Sequence, residues 1–392
     1  MTSTSDTSSL PVFRDPFAER KATWMELFFD LAFVIAIAST AHTLSSSKLP
    51  AGLLDFAVLF LLLQWAWAGY TFYSDRFDTD HLGQRLLALA QMALVLGIAS
   101  LHEWLGRDFG LFVLIYCVLR AITIGANLVS GRHIPEVYRM TRRYSAGIAL
   151  SLLPLLLAVS VEDKGLRLAL VGLTAVLQFM PTALAHRQGA MPLSISHIPE
   201  RLGLFITLAL GECLVGITRA GSIAPSISTL STGVLALLLV FCVWSIYFAC
   251  LDGSALRQSP FRAVAWIYLH APLSMSIVAM GVGLEETLHR LLEPSVHGSR
   301  LLYLSWGVSM VCIAAISALR PIQGIGFRRG LAWTSGLFGL AAVILPFVFE
   351  PGPGFTLITL AGAGVLLLIL LLIPGTSSVH HVGESMDSPE EA

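Results

Sequence analysis

Twelve apolar runs, each close to the length that crosses a lipid bilayer, follow one another along this chain of 392 residues. A helix needs roughly 20 apolar residues to span the hydrocarbon core, and helices suit that environment because they satisfy their own backbone hydrogen bonds. Charged residues make up only 12% of the sequence, about half the share found in soluble domains. The sequence therefore predicts an all-α, polytopic bundle of transmembrane helices. The predicted spans are 24–45, 51–73, 82–105, 109–130, 145–162, 166–186, 201–219, 229–251, 261–284, 301–320, 328–349 and 353–374.

The segments between the predicted spans carry an uneven distribution of Lys and Arg. With the N-terminus inside, sixteen of the 24 basic residues fall in inner segments, seven in outer ones, and Arg120 lies within the fourth span. Basic residues collect on the cytoplasmic side of membrane proteins. We therefore expect both termini in the cytoplasm. The first apolar run is too long for a cleavable signal peptide, so the polar segment 1–22 should precede a retained helix, and the acidic tail 375–392 should be disordered.

Similar pairs of residues recur at an offset of roughly 180 residues. Glu19-Arg20 stands before the first predicted span, and Glu200-Arg201 stands before the seventh. Transporters are often built from repeated halves, and six spans per half would relate them by an axis along the membrane normal. We expect two tandem six-helix halves, over 23–190 and 191–374.

The first span contains two carboxylates, Glu26 and Asp30, four residues apart and so on one face of a helix. A charged side chain near the bilayer centre costs roughly 2.5–3.5 kcal/mol, so such acids usually face protein or water. Arg120 should likewise need a carboxylate, and Glu26, Asp30 and Glu212 are the candidates. We predict that these four residues line a polar path for an ion or small solute. The alternative is a static buried ion pair that fixes helix packing.

The residues around these acids match a known signature. The stretch Thr23-Trp24-x-Glu26-Leu27-Phe28-Phe29-Asp30-Leu31 resembles the opening of the bacterial low-temperature-requirement A (LtrA) family of integral membrane proteins, and residues 73–80 and 199–212 are similar to the same family. The resemblance implies a protein of the bacterial inner membrane and carries no substrate with it. A weaker similarity links Phe28-Phe29-Asp30 to potassium channels that have an Arg…Phe-Ser-Asp motif on their first helix.

Three further residues are secondary candidates. His270 lies alone in the ninth predicted span, before Pro272. A membrane enzyme acting on lipids could use it as a base, whereas a hydrogen-bonded core histidine is the alternative. Glu103 and Glu285 close the third and ninth spans, where they could form part of an outer vestibule.

The loop after the second predicted span is rich in acids. Asp75, Asp78 and Asp80 could bind a divalent cation through oxygen ligands. Such residues more often cap the following helix and complement its dipole, so we expect no metal site.

The sequence contains no phosphate-binding loop, dinucleotide fingerprint, HExxH site or serine-hydrolase elbow, so we expect no cofactor. The basic pair Arg142-Arg143 should meet anionic lipid headgroups and not nucleic acid. The run 361–364 of alternating Ala and Gly suits close packing of the last helix or a contact between two copies of the chain. We expect a transporter or channel for a small solute or ion, with protons as a candidate coupling ion. The alternatives are an enzyme or accessory factor acting on lipids, and a structural protein.

Overall fold

The computed structural model describes residues 14, 19–46, 51–77, 82–101, 104–132, 134–181, 193–221, 227–251, 253–292, 299–319 and 326–372. This part of the chain is 89% helical and has no strand, which confirms the predicted all-α bundle. The described helices are α1 (Trp24–Ser46), α2 (Ala51–Arg76), α3 (Leu82–Ala99), α4 (Phe109–Gly131), α5 (Pro135–Ser151), α6 (Leu153–Leu157), α7 (Lys164–Leu177), α8 (His197–Gly221), α9 (Ile227–Cys250), α10 (Ala255–Gln258), α11 (Pro260–Leu292), α12 (Ser299–Ala318), α13 (Gly326–Val348) and α14 (Pro353–Leu372).

Within the described ranges, eleven stretches are long and apolar enough to cross a membrane. The fifth is Val137–Ser160 and combines α5, α6 and a short 3-10 turn. It begins well before the predicted residue 145, because Pro135 occupies the first turn of α5, where its missing N–H needs no partner. The span is interrupted, because α5 ends at Ser151 and Pro154 lies in the first turn of α6.

The sixth predicted span, 166–186, corresponds to α7, which has 14 residues and is too short to span a bilayer by itself. Near its start, Arg167 donates to the carbonyl oxygen of Leu105 at 2.8 Å, in the connection between α3 and α4. The next long helix, α8, begins at His197, which contacts Asp75 at the end of α2. These two contacts lie at opposite ends of the bundle, so the chain returns across the bundle between the start of α7 and the start of α8.

The two ends of the bundle differ in their ionic contacts. The charged end, as we call it, is the end at which α2 finishes and α1 and α8 begin. The ion pairs at the opposite end include those between Arg219 and Glu285 and between Arg300 and Glu350, and all four of these side chains are partly exposed. We refer to α1–α7 as the N-terminal half and to α8–α14 as the C-terminal half, by chain order alone.

Burial separates central helices from peripheral ones. The span formed by α11 is 78% buried within the protein, whereas that of α13 is 28% buried and exposes Trp333, Leu337 and Ile344. An apolar exposed face of this kind suits lipid. The central helix α11 packs tightly against α8, because Gly216 and Gly281 allow the two backbones to approach; a Cβ atom on Gly281 would lie 2.9 Å from the Glu212 carbonyl oxygen.

Candidate functional site

Asp30 forms a two-bonded ion pair with Arg201 at the charged end. Its Oδ2 accepts from Nη1 of Arg201 and its Oδ1 from Nη2, both at 2.8 Å. Oδ1 also accepts from Nε1 of Trp67 at 2.8 Å. The exposed fractions are 2% for Asp30 and 0% for Arg201, so both charges are inside the protein. Two parallel N–H···O bonds from one guanidinium to one carboxylate are among the strongest hydrogen-bonded contacts in proteins.

Glu26 has two distinct roles at the start of α1. Its Oε2 accepts from the backbone N of Thr23 at 2.7 Å and from the Thr23 hydroxyl at 3.1 Å, while the Glu26 N–H donates to that hydroxyl oxygen. This reciprocal arrangement is a capping box, which satisfies free N–H groups at the helix start. Its Oε1 accepts from Arg20 at 2.8 Å and contacts Nε2 of His197 at 3.1 Å.

His197 lies between two carboxylates. Its Nε2 contacts Glu26, and its Nδ1 lies 2.9 Å from Oδ1 of Asp75. Each of these N···O contacts needs one proton, whether the ring carries both protons or a carboxyl group carries one. The three side chains, from α1, α2 and α8, therefore hold two protons in a continuous chain of polar atoms. Oδ2 of Asp75 also accepts from the backbone N of Ser194 at 3.1 Å.

The segment before α1 closes over this network. The backbone N of Arg20 donates to Oγ of Ser196 at 3.2 Å, and that of Ala22 donates to Oε2 of Glu200 at 3.0 Å. Burial lowers the pKa of the Arg20 guanidinium, and the attraction of the neighbouring carboxylate of Glu26 opposes this shift. The charged end therefore joins the two halves of the protein through polar contacts from both sides.

The prediction that Arg120 pairs with a carboxylate is wrong for the described part of the chain. Arg120 is 2% exposed, and its Nη1 donates to the carbonyl oxygen of Trp65 at 2.8 Å. No described carboxylate lies within ion-pair distance of it. The reason is depth: at about 1.5 Å per residue, Arg120 lies about 16 Å from the charged end along α4, whereas Asp30 lies about 9 Å from it along α1.

Asp30 and Glu212 do not meet. Glu212 follows His197 by about 22 Å along α8, and it is 6% exposed. The secondary candidate Glu285 lies near it at the opposite end, where Glu285 pairs with Arg219 at 3.6 Å. The structure therefore brings together Glu26 and Asp30 but separates both from Glu212 and Arg120.

The remaining candidates have ordinary structural surroundings or lie outside the described residues. His270 is 1% exposed, its Nδ1 contacts the carbonyl oxygen of Trp266 at 2.7 Å, and it has no access to lipid. Asp75 is occupied by His197 and Ser194, and no metal-binding group of side chains occurs among the residues that the structure describes. Glu103, Asp78 and Asp80 lie outside those residues.

Sequence reasoning missed the two residues of the C-terminal half that hold the acids, His197 and Arg201. Each lies 171 residues after its partner along the chain, His197 after Glu26 and Arg201 after Asp30. Arg201 appeared in the recurring Glu-Arg pair, but its partner in space could not be read from one sequence. The available signal was a histidine and an arginine four residues apart at the start of an apolar helix, where a charge needs a partner.

The fold and the enclosed ion pairs define an integral, multi-pass membrane protein. The family model described as bacterial low temperature requirement A protein (LtrA) matches residues 21–375, and the chain belongs to this family. The chain is also similar to an uncharacterised protein of Rhizobium meliloti (strain 1021), with 25% identity over 377 residues that cover 90% of this chain and 88% of that protein. No solved structure matches the chain.

Proposed function

We propose that this protein is a transporter or channel for a small ion or solute in the bacterial inner membrane, and that its charged end is a closed gate facing the cytoplasm. The observation that carries the proposal is the bidentate ion pair between Asp30 and Arg201, which joins the N-terminal half to the C-terminal half inside the protein. Many transporters work by motion of one half of the protein against the other, and bonds between halves break and reform in that motion.

The chemistry of the contacts supports a reversible gate. A buried ion pair gains little net free energy over two solvated ions, because the cost of removing both from water offsets their attraction. If the halves separate and water enters, Asp30 and Arg201 recover their hydration. By contrast, exposing an apolar interface of the same size to water would be unfavourable. Ion pairs between the halves therefore allow a gate to open at a modest cost.

The chain from Glu26 through His197 to Asp75 supports coupling to protons. Charged groups face His197 from the segment before α1, from α1 and from α2; these are Arg20, Glu26 and Asp75. A third proton on this chain would neutralise a carboxylate while the imidazole remains charged. That change removes one attraction between the halves and favours opening.

The first prediction concerns flux through the purified protein in proteoliposomes. The double variant Asp30→Asn with Arg201→Gln removes both charges at once, so it leaves no unpaired buried charge and should fold. We expect the wild type to move at least one member of a panel of protons, K⁺, Na⁺ and small neutral solutes. The double variant should show about tenfold higher flux than the wild type, because the closed gate then loses a charge-assisted contact that is worth about that factor.

The control for this experiment is Glu350→Gln, which removes one partner of the exposed Arg300–Glu350 ion pair and should keep the flux of the wild type. If the double variant folds and transports like the wild type, the Asp30–Arg201 pair is a static structural element. If the wild type moves nothing in the panel with or without a pH gradient, the transport proposal is wrong.

A further inference from the structure

A small cavity lies between α2, α3 and α4, apart from the charged network. Its volume is about 10 Å³, which is room for one water-sized body. The polar residues of its lining are Tyr70, Tyr73, Gln84, Gln91 and Thr123. No carboxylate belongs to this lining among the described residues.

The guanidinium of Arg120 lies against the wall of this cavity. A Cβ atom on Gly69, which lines the cavity, would be 2.9 Å from Nη1 of Arg120 and 3.1 Å from Cγ2 of Thr123. Apart from the Trp65 carbonyl oxygen, no described residue accepts a hydrogen bond from Arg120, and its buried Nε has no partner. A buried guanidinium without a counter-charge is strongly disfavoured in a membrane.

One other group at the cavity also lacks a partner. Gln91 is only 4% exposed, and its buried Oε1 has no hydrogen bond within the described residues. A buried polar group without a hydrogen bond is unfavourable, so a bound ligand that satisfies it is favoured.

We propose that this cavity binds a single small inorganic anion, such as a halide, which serves as the counter-charge of Arg120. The nearby positive charge and the absence of a carboxylate from the described lining disfavour a cation. The volume excludes an organic solute. The amide of Gln91 can turn its N–H₂ towards the anion, because its orientation is fixed only by its hydrogen bonds.

This inference does not rest on the transport proposal, because anion binding can be measured in a protein that transports nothing. The measurement is the thermal unfolding midpoint of the purified protein in lipid nanodiscs. Sodium fluoride, sodium chloride or sodium gluconate is added at equal ionic strength. A ligand that binds only the folded protein raises the midpoint in a saturable way. We expect a saturable rise with fluoride or chloride and none with gluconate, whose anion is too large.

The variant Arg120→Gln should abolish the halide-dependent rise, whereas Arg300→Gln, which removes an exposed arginine, should keep it. Because Arg120→Gln could fail to fold, Gly69→Ala provides a second test: its added methyl group displaces the guanidinium and narrows the cavity. We expect the half-saturating halide concentration to rise about tenfold or more in Gly69→Ala, which is the effect of weakening one charge-assisted bond. The same midpoint rise in the wild type, Gly69→Ala and Arg120→Gln, or no rise in the wild type, would overturn the proposal.

Discussion

Asp30 accepts three N–H donors, two from Arg201 and one from Trp67, and these bonds offset part of the cost of burying its carboxylate. Hydrogen bonds to the charged form stabilise it against burial. Glu26 is satisfied in the same way by Thr23, Arg20 and His197. At the scale of single residues, the acids are thus compensated by donors from the protein.

His197 carries the prediction that belongs to this scale. As the pH falls, a proton added to the Glu26–His197–Asp75 chain should favour opening and raise the flux measured in proteoliposomes. His197→Gln has no titratable group at this position, so we expect its flux to lose most of this pH dependence. The control is His289→Gln, at the opposite end, where His289 lies 4.0 Å from Glu285. A variant His197→Gln with the pH profile of the wild type would contradict the proton-coupled gate.

The burial of Glu26 and Asp30 was predictable from two acids in one apolar run, but their partners were not. The bonds to His197 and Arg201 join residues that are 171 positions apart, and only the packing of α1 against α8 brings them together. The expected partner, Arg120, bonds a backbone carbonyl instead. The sequence indicates that a buried charge needs a partner. It cannot indicate that the partner is a backbone carbonyl oxygen, because every residue has one.

At the scale of helices, close packing depends on a few glycines. The contact between α8 and α11 places Gly216 against Gly281, and a Cβ on Gly216 would lie 2.5 Å from the Gly281 carbonyl oxygen. Both atoms belong to backbone, which cannot move aside as a flexible side chain can. Any motion of α8 relative to α1 should therefore carry α11 with it.

Substitution of these glycines tests the contact. Gly281→Ala should lower the free energy of unfolding by about 1–3 kcal/mol, because its methyl group would overlap the backbone of Glu212 and Cys213. Gly211→Ala, on the same helix α8 with nothing within 4 Å, should be neutral or stabilising by up to about 1 kcal/mol through its higher helix propensity. Equilibrium unfolding in detergent micelles measures both. Equal effects of the two substitutions would be inconsistent with close packing at Gly281.

At the scale of the whole molecule, the ionic contacts determine how the chain crosses the bundle. The starts of α1 and α8 and the end of α2 share the charged end, which requires an even number of crossings before α8. Apolar run length predicted the long spans well, since length and hydropathy are properties of a continuous segment. It could not fix the neighbours of each helix, which depend on side-chain shape and on contacts distant in sequence.

The predicted sidedness can be checked with single cysteines and a maleimide that does not cross membranes. Arg132→Cys, exposed after the end of α4 near the charged end, should be protected in intact cells, and Ser160→Cys, exposed at the other end of the next span, should be labelled. The five native cysteines are buried or half-buried, and the unaltered protein gives their background labelling. Labelling of Arg132→Cys but not Ser160→Cys would place the charged end outside the cell.

The carboxylate of Glu26 divides its partners between its two oxygen atoms. One oxygen serves the first turn of its own helix, and the other reaches Arg20 and His197. Withdrawal of α8 would remove a partner from the second oxygen only. The beginning of α1 would then keep its backbone conformation, so the two halves could part and rejoin as intact bodies without any helix having to refold.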